Sequence, residues 1–157
     1  MKKTLVILCS YHHHNTEKIA KVIAKVLDAP IQLPNEVNTE EIQEYGLIGF
    51  GSGIYHGQHH ESLLSLAERL PQVSSGNVFL FSTAGVTGNA KIARDHSPLR
   101  TRLQSKGYTI VGEFGCKGFN TNSFLKYVGG MNKGRPNDQD LRQAEEFASG
   151  LKKKYMS

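Results

Sequence analysis

Leu5-Val-Ile-Leu-Cys-Ser-Tyr-His-His-His-Asn-Thr16 is the stretch on which the fold turns. Leu5 to Cys9 is a continuous apolar run, the pattern of a parallel strand covered on both faces. From Thr16 the period changes. Ile19, Ala20, Val22, Ile23, Val26 and Leu27 recur at helical spacing among lysines, which predicts an amphipathic helix from about Thr16 to Leu27. A buried strand passing through a polar loop into a helix is the first half of a strand–helix–strand unit. The helix start turns free N–H groups and the positive dipole end toward that loop. With Ser10, Asn15 and Thr16 as small donors, the loop suits a phosphate dianion without lysine or arginine. Capping of the helix by Asn15 or Thr16 is the plainer use of the same residues.

The rest of the chain repeats the alternation. Pro30 and Pro34 bracket a short strand at Ile31 to Leu33, and Glu40 to Glu44 fits a turn of helix. Leu47 to Phe50 reads as a buried strand ending in Gly51-Ser-Gly53. A helix is expected from about Glu61 to Leu70, stopped by Pro71, and a strand at Val78 to Phe81 runs into Ser82-Thr-Ala-Gly85. A further helix from about Ser97 to Lys106 ends at Gly107, and Tyr108 to Phe114 is the last strand. After a long loop, Asn137 to Lys154 forms the final helix, with Leu141, Ala144, Phe147, Ala148 and Leu151 as its core stripe. Such alternation predicts an α/β, doubly wound five-stranded parallel sheet of order 2-1-3-4-5, with helices on both faces. No linker or repeat divides residues 1–157, so one domain is expected. Ligands of such sheets bind beyond the carboxyl ends of the strands, where the order reverses. Three loops meet there: Ser10 to Thr16, Gly51 to His60, and Ser82 to His96.

Composition narrows the setting. The 157 residues are 38% hydrophobic, enough for a packed domain, and no apolar run approaches the ~20 residues of a membrane span. The short run Leu5 to Cys9 does not make an export signal, so a cytoplasmic location is expected. Two cysteines, Cys9 and Cys116, are too few for a disulfide framework and are expected as thiols. The formal charge of +5 comes from scattered basic residues, and the densest group, Lys152 to Lys154, complements a helix C-terminus. No nucleic-acid partner is therefore expected.

The second and third loops add a planar ligand to the phosphate. Glycines in Gly51-Ser-Gly-Ile-Tyr-His-Gly57 let backbone approach a flat ring, and Tyr55 offers a stacking surface. The third loop, from Ser82-Thr-Ala-Gly85 to Asn89, is small and polar. In their order and spacing the three loops resemble the flavodoxin family. Ser10-x4-Asn15-Thr16 is similar to the family's phosphate loop, Gly51 to Tyr55 to the loop over one face and edge of the isoalloxazine ring, and Ser82 to Gly85 to the start of the loop over the other face. The resemblance extends to a tail like Gly129-Gly-x-Asn-Lys-Gly-Arg-Pro-Asn137.

The resemblance implies FMN as cofactor, electron transfer as the activity, and a redox protein partner or small-molecule substrate. The implied cofactor-binding residues are Ser10, His12, His14, Asn15 and Thr16; Gly51, Ser52, Gly53, Ile54 and Tyr55; and Ser82, Thr83, Ala84 and Gly85. A peptide at Gly53 or its neighbour would flip to hydrogen-bond the reduced ring. A flavoenzyme acting on a quinone or porphyrinogen is the second reading, and a binding module without flavin the third. No catalytic residue is assigned. The chain departs from the usual pattern in being basic, in lacking an aromatic residue early in the third loop, and in carrying His12-His-His14 where small residues are usual. Phe119, Phe124 and Tyr127, in the loop after the last strand, would form a lid, a partner surface or a satellite cluster.

All seven histidines fall in the three expected loops: His12, His13, His14, His56, His59, His60 and His96. They would offset cofactor charge, hold zinc or nickel, or simply face water. No cysteine or carboxylate pattern supports a metal. Other folds of similar order fit less well. A receiver domain needs acidic residues after the first strand. A low-molecular-weight phosphatase needs an arginine after Cys9-x5, where Asn15 stands. A dinucleotide fold needs its glycine fingerprint there too.

Overall fold

The computed structural model describes residues 3–10, 14–118 and 134–156. In chain order the elements are β1 (Lys3–Cys9), α1 (Asn15–Leu27), β2 (Ile31–Gln32), β3 (Tyr45–Tyr55), β4 (Gln58–His59), α2 (Glu61–Arg69), β5 (Asn77–Ala84), α3 (Asn89–Ser105), β6 (Thr109–Lys117) and α4 (Asp138–Tyr155). Two 3₁₀ turns, Pro34–Glu36 and Glu41–Glu44, separate β2 from β3. The parallel strands run in the order β2-β1-β3-β5-β6, with β4 folded antiparallel onto β3. Leaving that hairpin strand aside, this is the expected doubly wound order.

Each strand of the middle sheet alternates its side chains between two cores, as a strand must. Leu5, Ile7, Ile48, Phe50, Val78 and Leu80 meet α2 and α3 on one face. Val6, Leu8, Leu47, Phe79 and Phe81 meet α1 and α4 on the other. The expected α4 stripe is present, with Ala144, Ala148 and Leu151 buried and Leu141 and Phe147 packed beside them. Among the described residues no helix is long and apolar enough to cross a membrane.

Several boundaries differ from those expected. β5 runs on through Ser82, Thr83 and Ala84, and β6 reaches Lys117, because both strands pair along their whole length. β3 likewise continues through Gly51–Tyr55 and turns back into β4, so the second loop is mostly a hairpin. Its two-residue turn is His56-Gly57, both at positive φ (54° and 76°), the arrangement that twists with the strands. α3 starts at Asn89 rather than near Ser97. Ser97-Pro98 imitates a start signal, since proline suits a first helical turn, yet here Pro98 lies inside the helix. The first three turns are supported by the Lys91–Asp95 ion pair on one face. The third loop therefore shrinks to the residues between Ala84 and Asn89. Phe119, Phe124 and Tyr127 lie outside the described residues.

Cys9 and Cys116 are thiols outside any disulfide, 3% and 5% exposed, on opposite faces of the sheet. Burial, then the nearby Asp140 carboxylate, pushes the Cys116 thiol up to about 12. The thiolate is the reacting form. The native protein is expected to leave both thiols unreacted with an aromatic disulfide reagent over minutes at pH 8, and to release two equivalents once denatured. A fast equivalent from the native protein would contradict this burial.

Candidate functional site

The carboxyl ends of β1, β3, β5 and β6 lie side by side, and two polar clusters occupy them, one on each face of the sheet. The α1 face holds the first. Thr16 and Thr83 are 2% and 4% exposed, and their hydroxyl oxygens are 2.8 Å apart. The N-terminus of α1 is thereby joined to the end of β5. The residue capping α1 is His14, in the left-handed conformation (φ 52°, ψ 35°), rather than Asn15 or Thr16, which belong to the first turn. His14 has no side-chain capping bond. Ser10 acts from upstream instead: its Oγ accepts the Glu17 N–H at 3.3 Å. His14 reaches Glu17 at 2.8 Å, and Glu17 also meets Lys21 at 3.0 Å; the Lys21 hydrogen bond leads the causes that lower the Glu17 carboxyl. His12 lies outside the described residues.

A residue the sequence did not single out joins this cluster. Gly118, just past β6, lies so close to Asn15 that a side chain there would meet the amide nitrogen at 2.7 Å. Its N–H donates to the Ala84 carbonyl at 3.0 Å. The last strand thus closes one side of the phosphate-loop candidate. Gly115-Cys-Lys-Gly118 gives only a faint signal of this in the sequence.

The second cluster lies on the α2/α3 face. Ser52 is fully buried; its hydroxyl donates to the Gly53 carbonyl (2.6 Å) and accepts the His60 N–H (2.9 Å). His60 caps α2 with its ring, Nδ1 accepting from the Ser62 N–H at 3.0 Å and the Ser62 hydroxyl at 2.8 Å. The Tyr55 ring stands edge-on to His60, with centroids 5.2 Å apart. Ile54 pairs with His59 across the hairpin. Gly85 follows the end of β5.

His59 and His96 are not loop residues: they lie in β4 and inside α3, and both are completely buried. Burial of histidine in a network needs a partner at each nitrogen, and His96 has both. Its Nδ1 is 2.9 Å from Glu113 Oε1 and its Nε2 is 2.7 Å from Ser82 Oγ. Arg100 grips Glu113 with two bonds, Nε to Oε2 at 3.0 Å and Nη2 to Oε1 at 2.8 Å. Burial alone would raise the Glu113 carboxyl, but the hydrogen bonds from His96 and Arg100 and the charge of Arg100 outweigh it and hold it at about 2. An ionised carboxylate only accepts, so His96 donates from Nδ1, and in the neutral ring Nε2 accepts the Ser82 hydroxyl.

His59 is less satisfied. Its Nε2 is 3.0 Å from the Phe81 carbonyl, which can only accept, so Nε2 carries the hydrogen. Its Nδ1 is buried with no hydrogen-bond partner among the described residues. The His59 and His96 rings lie 4.6 Å apart, tilted at 50°. Burial, then the neighbouring His96, brings His59 down to about 3 despite the Phe81 carbonyl. Among the described residues no group of three histidine, cysteine or carboxylate side chains is arranged to hold a metal.

The candidate residues are thus drawn together but sorted. Thr16, Thr83, Asn15 and Ser10 gather at α1; Ser52 and Ser82 turn to the opposite face and serve the histidines; Tyr55 lies on the hairpin. Comparison with known proteins bears on the fold that carries these residues. Residues 6–117 match the flavodoxin domain family. An uncharacterized protein of Methanocaldococcus jannaschii is 44% identical over 151 residues, 96% of this chain and 99% of its own. Among solved structures, oxidised Flavodoxin 2 from Bacillus cereus superposes with a TM-score of 0.72 at 18% identity, covering 98% of this chain and 99% of that one. The Fusobacterium nucleatum flavodoxin bound to flavin mononucleotide gives 0.66 at 15% identity, covering 99% of both chains. With the family match spanning β1 to β6, this chain belongs to the flavodoxin family.

Proposed function

We propose that this protein binds FMN at the carboxyl edge of its sheet and carries electrons to a redox protein partner. The observation that supports the reading most is the buried Thr16–Thr83 hydroxyl contact. It brings the start of α1 and the end of β5, two of the three flavin-contacting regions of the resemblance, to one point. The donor set suits a phosphate monoester. Hydroxyls and a helix N-terminus offer hydrogen bonds and a favourable dipole to a dianion. Ser10, while accepting from Glu17, keeps its own hydroxyl hydrogen to give.

In this reading Ser10, His12, His14, Asn15 and Thr16 hold the phosphate. Gly51 to Tyr55 and Ser82 to Gly85 flank the ring, with Ser52 fixing the Gly53 and His60 backbone from beneath and Ser82 holding the His96 ring. Bound FMN would supply the one- and two-electron chemistry. The protein's part is to bind, orient and shield it.

The test begins with the visible absorption spectrum of the purified protein before and after added FMN. Flavin bands that shift on binding support the reading; a colourless protein that leaves added FMN unperturbed rejects it. Well-separated one-electron steps on anaerobic titration favour the carrier, and direct oxidation of NAD(P)H favours a flavoenzyme. Asn15→Ala combined with Thr16→Ala is expected to weaken FMN binding by ~1–3 kcal/mol through lost donors, measured by flavin fluorescence titration. Unchanged affinity would move the phosphate elsewhere.

A further inference from the structure

We propose that His59 is an acid-sensitive latch that holds the β3–β4 hairpin against β5, so that acidification opens the hairpin and releases whatever it covers. The geometry carries the inference. His59 is the second of only two β4 residues, and its side chain crosses to a main-chain carbonyl of β5. That bond ties the short strand of the hairpin, at its end away from the turn, to the strand whose end forms the third loop. It uses Nε2–H alone. The other nitrogen is buried with no partner among the described residues, and the ring lies against a second buried imidazole.

A proton added to His59 while the hairpin is closed would sit on Nδ1, which is fully buried and meets no acceptor among the described residues. Such a charge is costly, so the protonated ring favours the open hairpin, where water solvates it. The surroundings do not rescue the closed cation. His96 and Arg100 of α3 oppose it, and Glu113 of β6 is already committed to both of them. Glu61 and Glu68 of α2, Arg102 of α3 and His56 and His60 line the cleft outside it, where Glu68 pairs with Arg102 at 2.9 Å. Closed, His59 titrates near 3; open, it returns to about 6.5. The open state then binds the extra proton between these values. Closure is complete above about pH 6.5 and weakens as pH falls, the opening constant rising about tenfold per pH unit toward 3.

The test reads opening directly. Amide hydrogen exchange of the hairpin, corrected for intrinsic rates, is compared at pH 7.5 and pH 4.5 on the protein without flavin. Hairpin protection is expected to fall about 100-fold relative to the amides of β1. His59→Gln keeps an N–H for the Phe81 carbonyl but cannot titrate, so most of that pH dependence should disappear. His60→Gln should leave it in place. Nitrogen chemical shifts of the wild-type imidazoles give a second reading that needs no variant: His59 should remain a neutral Nε2–H ring at pH 5. Flat hairpin protection, an unchanged acid response in His59→Gln, or a His59 that protonates near pH 6.5 without opening would each overturn the latch. Release of FMN on opening rests on the proposed function. If the latch opens as described and FMN never binds, the cofactor assignment fails and the latch stands.

Discussion

Gly51→Ala is expected to destabilise the protein by about 3 kcal/mol or more, the upper part of the range for overpacking a core. Gly51 pairs with Phe81 on the neighbouring strand, and the ring folds across it. A Cβ at 51 would stand 2.1 Å from the ring edge. Phe81 has nowhere to retreat. It is fully buried and stacks on Phe79 at 6.1 Å. Phe79 in turn folds over Gly49, where a Cβ would be 2.2 Å away, and meets Phe147 of α4 edge-on at 6.0 Å. Glycine and phenylalanine therefore form two matched pairs, and a methyl group in one is felt along the row to α4.

A stability of ~5–15 kcal/mol is typical of a native protein, so this single methyl removes a large share. Urea unfolding of the flavin-free protein measures it without interference from cofactor loss. Phe81→Leu should destabilise the wild-type background by leaving a void, yet recover part of the loss when combined with Gly51→Ala. A double-mutant cycle should return a coupling of ~1–3 kcal/mol. If Gly51→Ala unfolds within about 0.5 kcal/mol of wild type, the ring is free to move and the pairing has no energetic weight.

That pairing marks where sequence reading stops. The strands were legible because Leu5 to Cys9 and Val78 to Phe81 are continuous apolar runs that only a sheet covered on both faces can use. The glycines at the end of β3 were equally visible, but their reason was not. From sequence, Gly51 offers close approach to a flat ligand; in the fold its missing side chain is filled by Phe81. The difference depends on strand register, which a linear pattern does not contain.

The histidines show the same limit. Polar residues between apolar runs read as loops, and a helix expected only from about Ser97 leaves His96 outside α3. Only the folded chain brings Ser82, His96, Glu113 and Arg100 from two strands and one helix into a single network that allows imidazoles into the core. One signal was available. Tyr55-His-Gly-Gln58 is a two-residue hairpin turn with glycine second, a weaker form of the Asn-Gly signal, and it would have placed His59 on a strand. Thr16 and Thr83, in contrast, were singled out from sequence, and the fold brings their hydroxyls together across 67 residues.

Asp140→Ala should be nearly as damaging as Gly51→Ala, for a different reason. Asp140 is 3% exposed in the first turn of α4. It accepts two bonds from Arg135, at 2.5 and 2.7 Å, and the Asn137 N–H at 2.8 Å, while Asn137 Oδ1 accepts its own N–H at 3.0 Å. Truncation removes half of a capping box and strands a guanidinium, a loss of ~2–4 kcal/mol. Burial works to raise this carboxyl, but the Arg135 and Asn137 bonds and the charges of Arg135 and Lys117 hold it below its usual range. The stabilisation from the ionised form is present above the usual carboxylate range and is lost as pH falls through the lowered value. Asp140→Asn keeps an acceptor for the cap but loses the charge, so it should cost less and remove that part of the acid sensitivity. The consequence should reach Cys116, whose thiol is raised partly by Asp140. In Asp140→Ala the end of β6 loses both the carboxylate and a firmly docked α4. Cys116 should then react with a thiol reagent faster than in wild type, while Cys9, on the other face, should not. Equal acceleration at both cysteines would mean that the whole molecule opens, and that the Arg135–Asp140–Asn137 cluster is not a local fastening of α4.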